Sequence, residues 1–222
     1  MWQLQAQALS DSFRVIVPDL PGHGSLAHVP FRMDDVVARL AALVDREAGG
    51  RAILAGLSLG GYVAMEFAAR HPEKLSSVIL LSCTAEPTGP GAALYWLATC
   101  FMSVAPVPLL AAMKGLMVRM LVPRDLAPLI SGPYFRGGAE GCRAIMWTSS
   151  IEKVRSYPGP ILFINGQRDY PFRSRERSFL AAARQARLEL IPRAYHPCHL
   201  NDPQRVTAAI RKFAESLVSS PV

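Results

Sequence analysis

The sequence predicts an α/β fold with a mostly parallel sheet covered by helices on both faces. Three observations carry that expectation. Short apolar runs of strand length alternate with amphipathic runs of helical period. One such run, Ala52-Ile53-Leu54-Ala55, passes through Gly56-Leu57-Ser58-Leu59-Gly60 directly into a helical pattern. A proline-punctuated helical stretch between Pro87 and Tyr157 interrupts an otherwise regular rhythm. With 222 residues and 50% hydrophobic content, the chain can bury a sizeable core, and its length suits one domain carrying an insertion.

In chain order, Phe13 to Val17 reads as a short buried strand ended by Pro18, with Asp19-Leu20-Pro21-Gly22-His23-Gly24 as the turn leaving it. A helix is expected from Met33 to Glu47, apolar at Val36, Val37, Leu40, Leu43 and Val44 and stopped by Gly49-Gly50. A strand over Arg51 to Leu57 follows, then the Ser58 turn and a helix running to His71, which Pro72 closes. Ser77 to Leu81 is a fully apolar strand. After the insertion the rhythm resumes with a strand at Pro160 to Ile164, a helix at Phe172 to Arg187, a strand at Leu188 to Ile191 and an amphipathic helix at Asp202 to Val218.

The insertion raises a membrane question, because Ala92 to Val122 is strongly apolar. Pro106 and Pro108 divide it, and Lys114 and Arg119 interrupt its second half, so each piece is shorter than the roughly 20 residues that span a bilayer. The expectation is no membrane span, and burial against the core or the lining of an apolar pocket, with Met102, Met113, Met117 and Met120 among the lining residues.

The first thirteen residues have no basic start and no continuous apolar run, so no secretory signal or transit peptide is read and a cytoplasmic location is expected. Cys83, Cys100, Cys142 and Cys198 lie at wide spacings with no CxxC pair, which argues against a disulfide framework and a structural zinc site. The net charge of +7 is uneven: residues 1–111 hold 7 basic and 9 acidic side chains, residues 112–222 hold 17 and 8. Such asymmetry can attract an anionic substrate or surface. The basic residues are scattered without interleaved aromatics, so a solvated arginine-rich face is read in preference to a nucleic-acid site.

Ser58 is the residue on which the chemistry turns. A serine hydroxyl needs an adjacent base and an accessible position, and a strained strand-to-helix turn supplies the position. Gly56 and Gly60 keep the converging strand and helix from clashing, and Gly61 relieves crowding at the helix start. A phosphate-cradling loop is disfavoured because no Lys-Ser/Thr follows the glycines. The base and its orienting acid must come from other strand ends on the same sheet edge. Asp169 lies past the strand at 160–164, and His196 and His199 lie past the last strand. No second cluster joins His196, Cys198 and His199, so neither a metal nor any cofactor is expected.

Three segments, Pro18 to Gly24, the GLSLGG turn, and Ile191-Pro192-Arg193-Ala194-Tyr195-His196 leading to Pro203, make the chain resemble the α/β-hydrolases, the large family of small esterases, lactonases and related enzymes. The resemblance implies a core at 1–86 and 158–222 with a helical cap at 87–157. It favours His196 as the base, since an Ile-Pro pair precedes it and a proline follows seven places later. His199 stays as the alternative base, and Tyr195 stands where the family has glycine. Glu86 is a rival acid, but the Gly-x-x-Asp phrase ending at Asp169 matches better. Asp19 and His23 are read as holding their turn by hydrogen bonds.

The resemblance further implies a serine hydrolase of a carboxylic ester, thioester or lactone with a small apolar substrate. Ser58 is its nucleophile, His196 its base, Asp169 the orienting acid and the Leu59 N–H an oxyanion donor. Met1-Trp2 resembles the point just after the family's oxyanion loop, so a second donor is not seen, and losing one costs about 3 to 4 kcal/mol of transition-state stabilisation. The alternatives are a downstream start codon or a ligand-binding relative without activity. A lyase or haloperoxidase using the same three residues is a further alternative.

Overall fold

In a computed structural model of the chain, the structure describes residues 1–86, 90–130, 135–146 and 148–218. Four parallel strands, β1 (Ala52–Leu57), β2 (Leu75–Leu81), β3 (Pro160–Gly166) and β4 (Gln185–Ile191), form one sheet in the order β1-β2-β3-β4. Every turn that leaves a strand towards its next helix therefore opens on the same edge, which is where an open parallel sheet collects its functional groups.

The strands show why the sheet is covered on both sides. In β2, Val78 and Leu80 enter one apolar cluster while Ile79 and Leu81 enter another, and in β3 Ile161 and Phe163 are divided from Leu162 and Ile164 in the same way. Successive side chains point to opposite faces, so a continuously apolar strand needs a layer on each. The first layer comprises α2 (Met33–Ala48), α3 (Leu59–Arg70), α7 (Ser150–Ser156) and α8 (Glu176–Ala182), which deliver Val37, Phe67, Val154 and Phe179. The second is α1 (Gln3–Leu9) and α10 (Pro203–Val218), with Leu9, Val206, Ile210 and Phe213. A further turn of helix, α9 (Cys198–Asn201), precedes α10.

Between β2 and β3 lie α4 (Pro90–Val104), α5 (Val107–Leu121) and α6 (Phe135–Ile145), ahead of α7. α6 packs chiefly on α4, whereas α7 packs on α3 and α8. Pro87 and Gly89, at the start of the insertion, fall outside the described residues, as do 131–134, 147 and 219–222.

Two expected elements differ. Residues 13–17 form no strand; Val15, Ile16 and Val17 are 37%, 39% and 51% exposed. A strand's backbone groups need a neighbour to bond, and among the described residues β1 pairs only with β2, so no strand lies beside this segment to pair with it. The helix expected over 172–187 is a 3-10 turn at Pro171–Arg173 followed by α8, and β4 begins three residues after α8 ends. Arg187 and Glu189 belong to an edge strand whose open side tolerates charge, with Glu189 paired to Arg205 on α10 at 2.9 Å. The polarity of Gln185 and Arg187 imitates the solvent face of a helix, whereas Leu188–Ile191 is strand as expected. α1 covers the second face with Leu9 and a buried Gln5.

Candidate functional site

β1 ends at Leu57, and Ser58 adopts φ 51°, ψ −120° before α3 starts at Leu59. A non-glycine residue in this region is strained and persists only where its surroundings enforce it. Here the Ser58 N–H donates to the Leu81 carbonyl at 2.9 Å, and its own carbonyl accepts from Gly61 at 2.8 Å and Tyr62 at 3.2 Å. The strand and helix converge hard on Gly56: a Cβ there would lie 2.1 Å from the Gly60 carbonyl oxygen. At Gly61 a Cβ would come 2.3 Å from Cys83 Sγ, but at Gly60 it would meet nothing within 4 Å. The smallness expected of Gly60 is thus required of Gly56 alone, because Gly60 contributes backbone to the contact and its own Cβ direction is open.

Leu59 is the first residue of α3, and the first N–H groups of a helix have no acceptor within the helix. Its amide is therefore one of the groups that a helix N-terminus offers to negative charge.

Asp169 sits three residues past β3, with 4% of its side chain exposed, and its Oδ2 lies 2.9 Å from Nδ1 of His196, five residues past β4. The two loops are laced together. Gln167 N–H donates to the Ile191 carbonyl at 2.9 Å, Arg168 N–H to the Ala194 carbonyl at 2.8 Å, and Arg193 N–H to Gln167 Oε1 at 3.1 Å. Gly166 permits the approach, since a Cβ there would come 2.2 Å from the Tyr195 carbonyl oxygen. The Asp169 loop is braced from behind by Arg173, which pairs with Glu176 at 2.8 Å and donates to the Gln167 carbonyl at 2.7 Å. Glu176 also accepts from Asn165 Nδ2 at 2.7 Å.

His196 and the loop that carries it have two contacts that the sequence did not reveal, one to its ring and one to its loop. The Phe172 ring stacks on its imidazole, with centroids 3.9 Å apart and planes tilted 33°, and so restricts rotation of the ring. Asn201 accepts the Tyr195 N–H at 2.8 Å and donates to the Leu121 carbonyl at the end of α5 at 2.7 Å, tying the histidine loop to the insertion. Neither has a sequence signature, because both depend on loops meeting in space. Tyr195 fits where a glycine was expected because the left-handed residue of this loop is Arg193, at φ 59°. Its ring packs under the Arg168 guanidinium, 5.7 Å from the centroid.

His199 lies elsewhere. It is fully buried, 5.3 Å ring to ring from Trp2, and neither ring nitrogen has a hydrogen-bond partner. Burial, and then the Met1 ammonium and His196, push its pKa down to about 4. The nearby Met1 backbone opposes that shift only weakly. Glu86 accepts from Ser149 Oγ at 2.8 Å and Ile151 N–H at 3.3 Å at the start of α7. Asp19 accepts the Ser25 N–H and Oγ–H at 2.9 Å each, holding its turn.

The described residues bring Asp169 and His196 into contact at the sheet edge that also carries Ser58. No hydrogen bond joins Ser58 Oγ to His196; such contacts are commonly long before substrate binds. A cavity of about 370 Å³ lies beside this edge, between Met120 to Pro123 and Pro192 to Tyr195 with Asn201, and is lined by none of those three. Among the described residues no group of histidine, cysteine, aspartate and glutamate is arranged to hold a metal ion. All four cysteines are free, and burial raises the Cys198 thiol to about 11.

Comparison with known proteins agrees with this architecture. A thermophilic esterase from Thermogutta terrifontis superposes over 97% of this chain and 85% of its own, with a TM-score of 0.81 and 26% identity. The 3-oxoadipate enol-lactonase 2 of Acinetobacter baylyi is 26% identical over 180 residues, 76% of this chain and 66% of that protein. A pimeloyl-[acyl-carrier protein] methyl ester esterase of Vibrio cholerae is 42% identical over 82 residues, 37% of this chain. That match spans 31% of the esterase's length, and the other first relatives are likewise spanned for less than a third. The model of the alpha/beta hydrolase family matches residues 1–209, nearly the whole described sheet with its helices and the edge that carries Ser58, Asp169 and His196. The chain is a member of the alpha/beta hydrolase family.

Proposed function

We propose that the chain is a serine hydrolase that cleaves a carboxylic ester, thioester or lactone through an acyl-enzyme on Ser58. The observation that carries this reading is the 2.9 Å contact between His196 Nδ1 and Asp169 Oδ2, on the sheet edge where Ser58 is held in a left-handed backbone conformation. With Asp169 accepting the Nδ1–H, the neutral imidazole presents Nε2 as a base.

In the proposed reaction Nε2 takes the Ser58 proton as Oγ bonds to the substrate carbonyl carbon, and the Leu59 N–H donates to the resulting oxyanion. The tetrahedral species collapses as the C–O or C–S bond breaks, and His196 returns the proton to the leaving alcohol or thiol. Water then gives its proton to His196, adds to the acyl carbon and releases the acid with Ser58 restored. Asp169 stays ionised throughout and favours the imidazolium. Helices α4 to α6 act as a cap on this reading, since a Cβ at Gly141 of α6 would come 2.5 Å from the Leu59 side chain. Four free cysteines suit a reducing, cytoplasmic setting.

A fluorophosphonate probe tests the proposal. Stoichiometric labelling is expected, abolished in Ser58→Ala and slowed at least about a thousandfold in Asp169→Asn, which leaves the imidazole in the wrong tautomer. Folded protein with an inert Ser58 points instead to a ligand-binding relative.

A further inference from the structure

The outer surface of the insertion has no explanation in ester chemistry. α5 is apolar nearly all round, which is usual for a helix with no water-facing side. Its Leu110 and Val118 are buried, yet on another face Leu109, Met113, Leu116, Met117 and Met120 are 45%, 49%, 59%, 47% and 71% exposed. These five follow helical spacing and form one stripe about 16 Å long. Met113, Met117 and Met120 were expected, with Met102, to line a pocket; of the stripe only Met120 borders the cavity beside the candidate site, and the rest faces outward. α4 repeats the pattern with Leu97, Phe101 and Val104 at 56%, 43% and 82% exposure, flanked by Trp96 at 49%.

The charge around these helices is one-sided. From Pro87 to Arg124 there is no aspartate or glutamate while Lys114, Arg119 and Arg124 are basic, and the exposed Asp125 that follows Arg124 is the first acid after α5. Arg119 and Arg124 are exposed, and burial lowers the pKa of Lys114. Beyond Met120 the cavity leads to exposed Arg193, to Tyr195, on which Arg168 packs, and to Asp202. Exposed aliphatic and aromatic side chains bordered by cations are the composition of a surface that rests in the interface of an anionic bilayer.

We propose that the α4–α5 face docks on anionic lipid membranes, inserting the α5 stripe and Trp96 among the acyl chains while Arg119 and Arg124 pair with lipid phosphates. A second copy of the chain suits the face less well, because an isologous contact would set Arg119 against its own equivalent, with Asp125 the single acid beside the three cations. An acidic protein would satisfy the cations but leave the stripe unexplained. The face is not a span: among the described residues no helix is long and apolar enough to cross a membrane. The proposal does not rest on Ser58 being a nucleophile.

Flotation with phosphatidylcholine vesicles, with and without phosphatidylglycerol, tests it. The chain is expected to float with the mixed vesicles and to lose this in high salt. Leu116→Glu with Met117→Glu should abolish flotation at an unchanged melting temperature. Arg119→Glu and Arg124→Glu should each weaken it at least about fivefold, the equivalent of one basic residue near a charged membrane. Should the stripe variants fail to fold, the Trp96 emission of the native chain is to be followed. A blue shift on adding mixed vesicles that disappears in Trp96→Phe supports the proposal. Protein left in solution with both vesicle types overturns it. So does a dimer that Leu116→Glu dissociates without vesicle binding, or binding to polyglutamate and not to vesicles.

Discussion

His199 shows how one buried side chain couples to pH. Its folded pKa of about 4 lies below the ordinary histidine value of 6.5, so between those values the unfolded chain binds the extra proton. Stability from this residue is therefore complete above about pH 6.5 and is lost as pH falls through 4, a change of about 3 kcal/mol. Urea unfolding followed from pH 7.5 to 4 should show this loss in the native chain. His199→Phe should flatten it, because a ring of similar volume that cannot be protonated removes both unpartnered nitrogens. An equally steep profile in the variant would assign the loss to other groups. His196, three residues earlier, is half-exposed and bonded to Asp169, and distinguishing the two histidines by sequence position alone was not possible. The Ile-Pro and proline marks around His196 favoured it through resemblance; the structure adds that His199 is sealed under Trp2.

At the scale of elements, the site is assembled by loops that strands deliver and side chains lock. Asn201 is the link between α9 and the insertion, through the Tyr195 N–H and the Leu121 carbonyl. Asn201→Ala should cost about 1 to 3 kcal/mol in stability, the worth of two hydrogen bonds. It should also slow probe labelling of Ser58, since the loop bearing His196 is released. Asn201→Asp keeps the acceptor for Tyr195 and loses the donor to Leu121, so it should restore labelling while α5 stays uncoupled. Equal labelling by native chain and Asn201→Ala would remove this residue from the site. The helix at Met33, the strands at 52, 75 and 160 and the closing helix were legible because period 3.6 and unbroken apolar runs are local signals. Residues 13–17 carry an equally good strand signal and form none, since a strand exists only with a partner. In the 172–187 segment the helix is confined to Glu176–Ala182 and β4 starts at Gln185, before the expected Leu188, because the polar Gln185 and Arg187 of an edge strand resemble a helix's solvent face.

Over the whole molecule, the two apolar clusters share one sheet and should unfold together. Phe163 and Ile164 are neighbours in β3 that point into opposite clusters, and both are fully buried. Phe163→Ala should lower stability by about 3 to 5 kcal/mol and Ile164→Ala by about 2 to 5 kcal/mol. Each should shift a single transition seen alike by far-UV and near-UV circular dichroism. Separate transitions in either variant would mean that the faces fold independently. The fold class, the turn at Ser58 and the order serine, aspartate, histidine were determined by the sequence alone, because periodicity and turn chemistry are encoded in adjacent residues. Only the tertiary structure decided that Asp169 meets His196, that Phe172 and Asn201 hold the histidine, and that the methionines of α5 face outward. Those relations join residues far apart along the chain, and they depend on strand register and on which helix face finds a neighbour, neither of which local residue patterns contain.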